Sequence, residues 1–299
     1  MKQLHYSLFV LLGACSYGIH ASIVKIGFAQ GFTVTEVTGI QYLYGVLILF
    51  LAFLFSKKVK FNVKQLASLF GVGIFLSLTG IFYGMSLARV PASIAVVMLF
   101  QFTWIGLLIE AVYLKKIPSN KKLLSVVFLW AGTLLAGGIG SASGFRWSEN
   151  IEGIFFGFLG SITFALFIFF SGKVAQGVPT LQRSLFIGVG GLLTVFIFFQ
   201  PSFLKEPVEI VNMAGFGLLV ALFGMILPIV LFAIGTPHLD SSISTIVGAA
   251  ELPAAIIAAV IILNESVSEL QLVGILLILI GIIIPQIHFR AHRPKKQYG

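Results

Sequence analysis

Apolar residues run along this chain in blocks of about twenty, separated by short polar gaps, and within a block they do not alternate. A helix needs about 20 residues to cross a bilayer, whereas a barrel strand needs about 9 to 11 of alternating character. The blocks at 4–28, 36–55, 66–88, 93–114 and 123–140, then 151–171, 182–199, 211–234, 241–263 and 270–287, predict ten transmembrane helices. The fold class expected is an all-α polytopic membrane protein, a short basic C-terminal tail following the last helix.

The polar gaps orient this expected bundle, because cytoplasmic loops carry an excess of Lys and Arg. With the N-terminus inside, the inner segments hold Lys2, Lys57, Lys58, Lys60, Lys64, Lys115, Lys116, Lys121, Lys122, Lys173, Arg183, Arg290, Arg293, Lys295 and Lys296. The outer segments hold Lys25, Arg89, Arg146 and Lys205. Fifteen cations against four predict a multi-pass protein of the cell membrane with both termini cytoplasmic.

Composition changes this picture little. The 299 residues are 58% hydrophobic and 10% charged, against about 25% charged in soluble domains. The net charge of +9 sits in loops and is accounted for by topology and contact with anionic membrane lipids, at about 1 kcal/mol per surface cation. No nucleic acid is expected, since such a partner requires cations gathered on a solvated face. The single cysteine, Cys15, allows no internal disulfide and no Cys-pair metal site. Residues 12–15, Leu-Gly-Ala-Cys, resemble a lipoprotein cleavage box, but the apolar run continues to Phe28, and signal h-regions are shorter than that.

The second half of the chain repeats the first. Sliding Ser93 onto Ser242 without a gap pairs Ile94 with Ile243, Leu114 with Leu263, Ser119 with Ser268, Leu123 with Leu272 and Gly132 with Gly281. Each repeat then has five helices, residues 1–140 and 141–299. An odd number makes the second enter from the opposite side, and inverted repeats are recurrent in secondary transporters, with the substrate near the midplane. The stretch Glu251-Leu252-Pro253-Ala254-Ala255, with Leu263-Asn264-Glu265, Gln271-Leu272-Val273-Gly274 and Gly281, resembles the EamA-type signature of the drug/metabolite transporter superfamily. Phe100-Gln101-Phe102-Thr103-Trp104 through Leu114 and Gly132 is a weaker first copy. This resemblance implies a ten-helix transporter with a central cavity that exports amino acids, drugs or other small metabolites. The chain departs from the pattern at two places: Gln41 stands near a second-helix position where many members have Arg, and Lys116 near one where they have Glu.

Polar residues inside the spans are the candidates for substrate binding. A charge at the bilayer centre costs about 2.5 to 3.5 kcal/mol on insertion scales, so it faces a cavity or a partner. Glu251 falls near the middle of the ninth span, and Pro253 is placed to loosen that helix. It is the expected proton-titrating or cation-binding group, the alternative being a structural carboxylate bonded to a neighbouring helix. Gln101 lies at comparable depth in the fourth span, one residue out of register with Glu251, and Trp104 shares its helix face. Gln41, Tyr17 and His20, Tyr83 and Phe164 complete the expected site. Glu110 is expected to pair with Lys115 and Lys116 or serve a gate, and Lys25 to snorkel to headgroups. Gly27 and Gly31, Gly80 and Gly84, and Gly153 and Gly157 have the spacing of close helix packing.

Enzyme chemistry has thin support. Ser22 and Lys25 have a Ser–Lys nucleophile spacing, but so do Ser119 and Lys122 in a loop. His288 and His292 are four apart without a nearby carboxylate. There is no phosphate-binding loop, dinucleotide fingerprint or metalloprotease motif, so no catalytic residue, cofactor or metal is expected. The sequence points to a secondary transporter of a small-molecule substrate, protons being a candidate coupling partner; the alternatives are a membrane-embedded enzyme and a non-transporting sensor or scaffold.

Overall fold

The computed structural model describes residues 2–60, 62–138, 150–200 and 211–286. Arg146, Lys205, the tail cations Arg290, Arg293, Lys295 and Lys296, and the pair His288 and His292 lie outside the described residues, as do the ends of the expected fifth and tenth spans.

Among the described residues the chain is helical, without strands. The helices are α1 (Lys2–Ala29), α2 (Val34–Leu54), α3 (Val63–Leu87), α4 in two halves (Ala92–Leu99 and Phe102–Leu114), and α5 (Asn120–Ala136). After them come α6 (Ile151–Lys173), α7 (Thr180–Phe199), α8 (Ala214–Ala221, a π turn at Leu222–Ile226, then Leu227–Gly235), α9 in two halves (Ser241–Gly248 and Glu251–Leu263), and α10 (Glu269–Ile283). Nine of these segments are long and apolar enough to cross a membrane; α5, at 17 residues, is the exception. Their outward surfaces carry Leu47, Phe50, Leu51, Val127, Ile197, Ile261 and Leu276, as expected where the solvent is lipid.

Local chemistry sets several boundaries. Thr33 with Glu36, Asn62 with Gln65, and Ser268 with Gln271 form reciprocal capping boxes at the starts of α2, α3 and α10, each satisfying otherwise unpaired helix N–H groups. Two of the three interruptions, in α8 and α9, lie beside a proline; the one in α4 does not. Pro253 cannot donate to the Ala249 carbonyl, which instead takes a 3.4 Å bond from the Leu252 N–H, and α9 breaks there. Pro228 likewise leaves the Gly224 carbonyl without its helical donor, beside the π turn of α8.

The internal repeat is exact in the helix bounds of α4 and α9. A shift of 149 residues, that of Ser93 onto Ser242, carries both halves of α4 onto both halves of α9, and the start of α5 onto the start of α10. It also carries Lys115 onto Asn264, the two left-handed C-cap residues, with φ of 52° and 55°. Packing follows the same exchange: α1 lies on α9 as α4 lies on α6, α1 on α8 as α3 on α6, and α2 on α8 as α3 on α7, while α2 with α7 and α5 with α10 are self-matched. Glycines make the closest crossings. A Cβ on Gly18 of α1 would come within 2.5 Å of the Ala255 nitrogen and 2.6 Å of the Glu251 carbonyl in α9, and one on Gly132 of α5 within 2.7 Å of the Gly274 carbonyl in α10. Of the three glycine pairs expected from spacing, Gly153 and Gly157 pack tightly, against Val90 and Met98. Gly27 also packs closely, against Phe216, and Gly84 meets Val34 at 3.4 Å, but Gly80 has nothing within 4 Å and Gly31 sits at φ +92° beyond the end of α1, so spacing identified only part of the close packing.

Contacts also separate the two ends of the bundle. At one end Tyr6 of α1 stacks on His238 at 3.9 Å, Val59 exchanges two hydrogen bonds with Gln182, and Lys173 lies 5.5 Å from the ring of Tyr113. This end gathers the described loop cations assigned to the inner side. At the opposite end Lys25 pairs with Glu265 at 2.9 Å and Arg89 with Glu152 at 3.1 Å.

Candidate functional site

The break in α9 places Glu251 on the first turn of a new half-helix, at the crossing with Gly18 of α1. By accessible surface the residue is half-buried among the helices that meet at this crossing. Its carboxylate makes no hydrogen bond or ion pair with any described residue. Tyr17 of α1, its neighbour along the same crossing, and Tyr83 of α3 lie within electrostatic reach of it. Phe164 of α6 stands edge-on to Tyr17 with ring centroids 6.0 Å apart. The Tyr17 hydroxyl is enclosed without a partner, and Tyr42 of α2 is within its electrostatic reach. Of the expected site residues, Glu251, Tyr17, Tyr83 and Phe164 are thus brought together.

His20 and Gln41 form a second group. The His20 Nε2 and the Gln41 Oε1 are 2.7 Å apart, and the Gln41 Nε2 donates to the Gly224 carbonyl at 3.0 Å. That carbonyl is the one Pro228 leaves free. The next carbonyl, of Phe223, accepts the Ser16 hydroxyl at 2.7 Å. The π turn therefore binds α1 and α2 through its own backbone, and Gln41 is committed to holding it.

Gln101 and Trp104 form a third. Both ends of the Gln101 amide are bonded: its Nε2 donates to the Val97 carbonyl at 2.8 Å, and its Oε1 accepts the indole N–H groups of Trp104 at 2.8 Å and Trp130 at 3.1 Å. The two indoles line an apolar groove of about 430 Å³ with Val126, Val127, Ala131 and Leu134. Trp130 and Val127 are largely exposed, so the groove opens towards lipid. No described contact joins this group to Glu251.

Glu110 is buried, with 7% exposure, and its partner is Lys122 rather than Lys115 or Lys116. Lys115 is spent on turning the chain at positive φ, while Lys122, on the first turn of α5, lies back against α4. The Lys122 Nζ is 2.8 Å from Glu110 and 3.0 Å from Asp240. Glu110 also accepts the Ser242 N–H at 2.6 Å and its hydroxyl at 2.9 Å, so an anion caps the N-terminus of α9. This cluster ties α4, α5 and α9 together at the cation-rich end.

Arg183, counted with the inner cations at the start of the expected seventh span, is buried at 3% exposure within α7. It donates to the Ser171 carbonyl at 2.5 Å and the Ala233 carbonyl at 3.1 Å, in the last turns of α6 and α8, where helical carbonyls lack intrahelical donors. Its Nε is unpartnered. A cation inside an apolar block was the available signal for it; Trp130 and Ser242 offered none.

Ser22 is buried, and Lys25 is held by Glu265 at the far end of α1, so the two do not form a nucleophile and base. Among the described residues no cluster of His, Cys, Asp and Glu could hold a metal ion.

Comparison with known proteins agrees with this architecture. No curated protein sequence matches the chain. A crystal structure 15% identical in sequence superposes with a TM-score of 0.75, covering 95% of this chain and 96% of the other, which establishes a shared fold. The model of the EamA-like transporter family matches twice, over residues 5–138 and 151–285. The two matches span both repeats, and the chain belongs to the EamA-like transporter family.

Proposed function

We propose that this membrane transporter is a secondary exporter of small organic solutes such as amino acids, related metabolites or drugs, working by alternating access around Glu251. The observation that carries this reading is the Glu251 carboxylate at the break of α9, without a partner among the described residues, with Tyr17 and Tyr83 within its electrostatic reach and Phe164 edge-on to Tyr17. An ionisable group inside the membrane is retained at a cost of a few kcal/mol and marks a substrate or ion pathway. Proton exchange at this carboxylate is the proposed coupling. The His20–Gln41 and Gln101–Trp104 pairs complete the site as its supports, holding α8 and α4 in shape.

In this reading ten helices span the cell membrane as two inverted units, residues 1–140 and 141–299, with both termini cytoplasmic. Support comes from the repeated helix bounds, the repeat-exchanged packing, and the gathering of loop cations at one end. Alternating access then exchanges which end is closed: the Glu110–Lys122–Asp240 cluster at one, the Lys25–Glu265 and Arg89–Glu152 pairs at the other.

Purified protein in vesicles tests this. Solute flux above that of empty vesicles is expected, with loss of flux in Glu251→Gln and a reduction in Gln101→Ala. Unchanged rates in both variants, at equal insertion, would remove the site assignment.

A further inference from the structure

We infer that the solutes carried at the Glu251 site are organic cations: an ammonium or similar positive group on an apolar or aromatic body. This inference rests on the transport reading above and specifies its substrate.

The charge inventory around the site leads to it. Glu251 presents a carboxylate without a partner, whereas every described cation embedded in or closing the bundle is already engaged. Lys122 is held by Glu110 and Asp240, and Lys25 by Glu265. Arg89 is held by Glu152, and Arg183 by the Ser171 and Ala233 carbonyls. A substrate carboxylate or phosphate arriving beside Glu251 finds no unengaged positive group among these described cations and meets a like charge. The one position where the family resemblance implies an Arg holds Gln41, and both ends of its amide are bonded, to His20 and to the Gly224 carbonyl. His20 directs its Nε2 at that amide rather than at Glu251.

The remaining lining fits a cation. Aromatic faces attract positive charge, by about 2 kcal/mol or more when water is excluded; Tyr17 and Tyr83 are within electrostatic reach of the carboxylate, and Phe164 stands edge-on to Tyr17. The enclosed Tyr17 hydroxyl has no protein partner, so it is free to bond a polar group on the ligand. One anion within rings and without a counter-cation is the chemistry of ammonium recognition; an α-amino acid zwitterion satisfies only half of its charge there.

Three solutes sharing a phenol ring separate the possibilities in vesicles containing the full chain. They are the trimethylammonium derivative of tyramine, which cannot cross lipid by losing a proton, then tyrosine, and 4-hydroxyphenylpropionate. The trimethylammonium compound is expected to move at least about tenfold faster than either of the others, and to raise the melting temperature of the parent protein in detergent but not that of Glu251→Gln. Tyr83→Leu, which keeps the carboxylate, is expected to lower the cation preference, so the inference remains testable if the Glu251 variant fails to fold. Equal or faster movement of tyrosine or 4-hydroxyphenylpropionate overturns the cation assignment and leaves transport standing. The same holds if none of the three moves while other metabolites do. Absence of flux for every solute tried removes the transport reading as well.

Discussion

The breaks in α4 and α9 share a backbone and differ in chemistry. Each half-helix starts and stops at positions 149 residues apart, and each break leaves a polar side chain beside it. In α4 that side chain is Gln101, whose amide satisfies a backbone carbonyl and two indoles. In α9 it is Glu251, whose carboxylate makes no hydrogen bond or ion pair among the described residues. One break is fastened internally, and the other leaves a carboxylate without a described partner, the group to which the proposed function gives the substrate. Duplication fixes where a helix can be interrupted; the residues placed there afterwards decide whether the interruption stabilises the fold or serves a substrate. The ends of the repeats diverge in the same way. The Glu110 cluster uses Glu110, Lys122, Asp240 and Ser242, and the shifted positions hold Ala259, Gln271, Pro91 and Ser93, which cannot build a second ionic lock.

The largest effect is expected from Glu251→Gln, which keeps the shape and removes the charge. Flux should fall at least about tenfold while the melting temperature in detergent stays near the parent's, since losing one buried charge contact costs about 2 to 5 kcal/mol in binding. A stability loss as large as the flux loss would mean that Glu251 is a fastener after all. Glu110→Ala should show the reverse. Breaking a buried pair costs about 3 to 5 kcal/mol, and here it also uncaps the N-terminus of α9, so the melting temperature should fall sharply; a wild-type melting curve would place Glu110 outside the structural lock.

Gln101→Leu comes next. It leaves two indole N–H groups without an acceptor, at about 1 to 3 kcal/mol for each group that stays buried. Destabilisation should exceed that of Trp104→Phe, which leaves the Trp130 bond in place. Equal melting temperatures for Gln101→Leu and the parent would dissolve the contrast between the two breaks. The smallest effect belongs to Lys25→Met. The pair with Glu265 is more than half exposed on the Lys side, and such pairs contribute about 0 to 1 kcal/mol; its loss should scarcely move the melting curve, and a marked drop would show that this end is sealed as firmly as the other.

Much of the architecture was legible before any coordinates. Block length alone required helices, since a chain in lipid must satisfy its backbone internally, and the pairing of Ser93 with Ser242 already contained the 149-residue shift that the helix bounds obey. The location of Glu251 was legible because an acid in an apolar block is costly enough to stand out. Its neighbours were partly legible: Tyr17, Tyr83 and Phe164 are reached from three different helices, and no periodicity along one helix reports which face meets another. Gln101 was recognised as polar and deep, but its partner Trp130 lies on the next helix, so its occupied amide could not be foreseen.

By itself, then, the sequence determined the apolar blocks, the repeat, the gaps in which cations collect and the acid at the middle of the ninth block. These are properties of composition and spacing, which the bilayer and the helix act on directly. Tertiary structure alone decided which polar groups are spent and which are open. Whether Gln41, Gln101, Glu110 and Arg183 are bonded depends on carbonyls and side chains from other helices, freed by Pro228 or by a helix end and brought within about 3 Å only on packing. Glu251 is distinguished from them by what does not reach it.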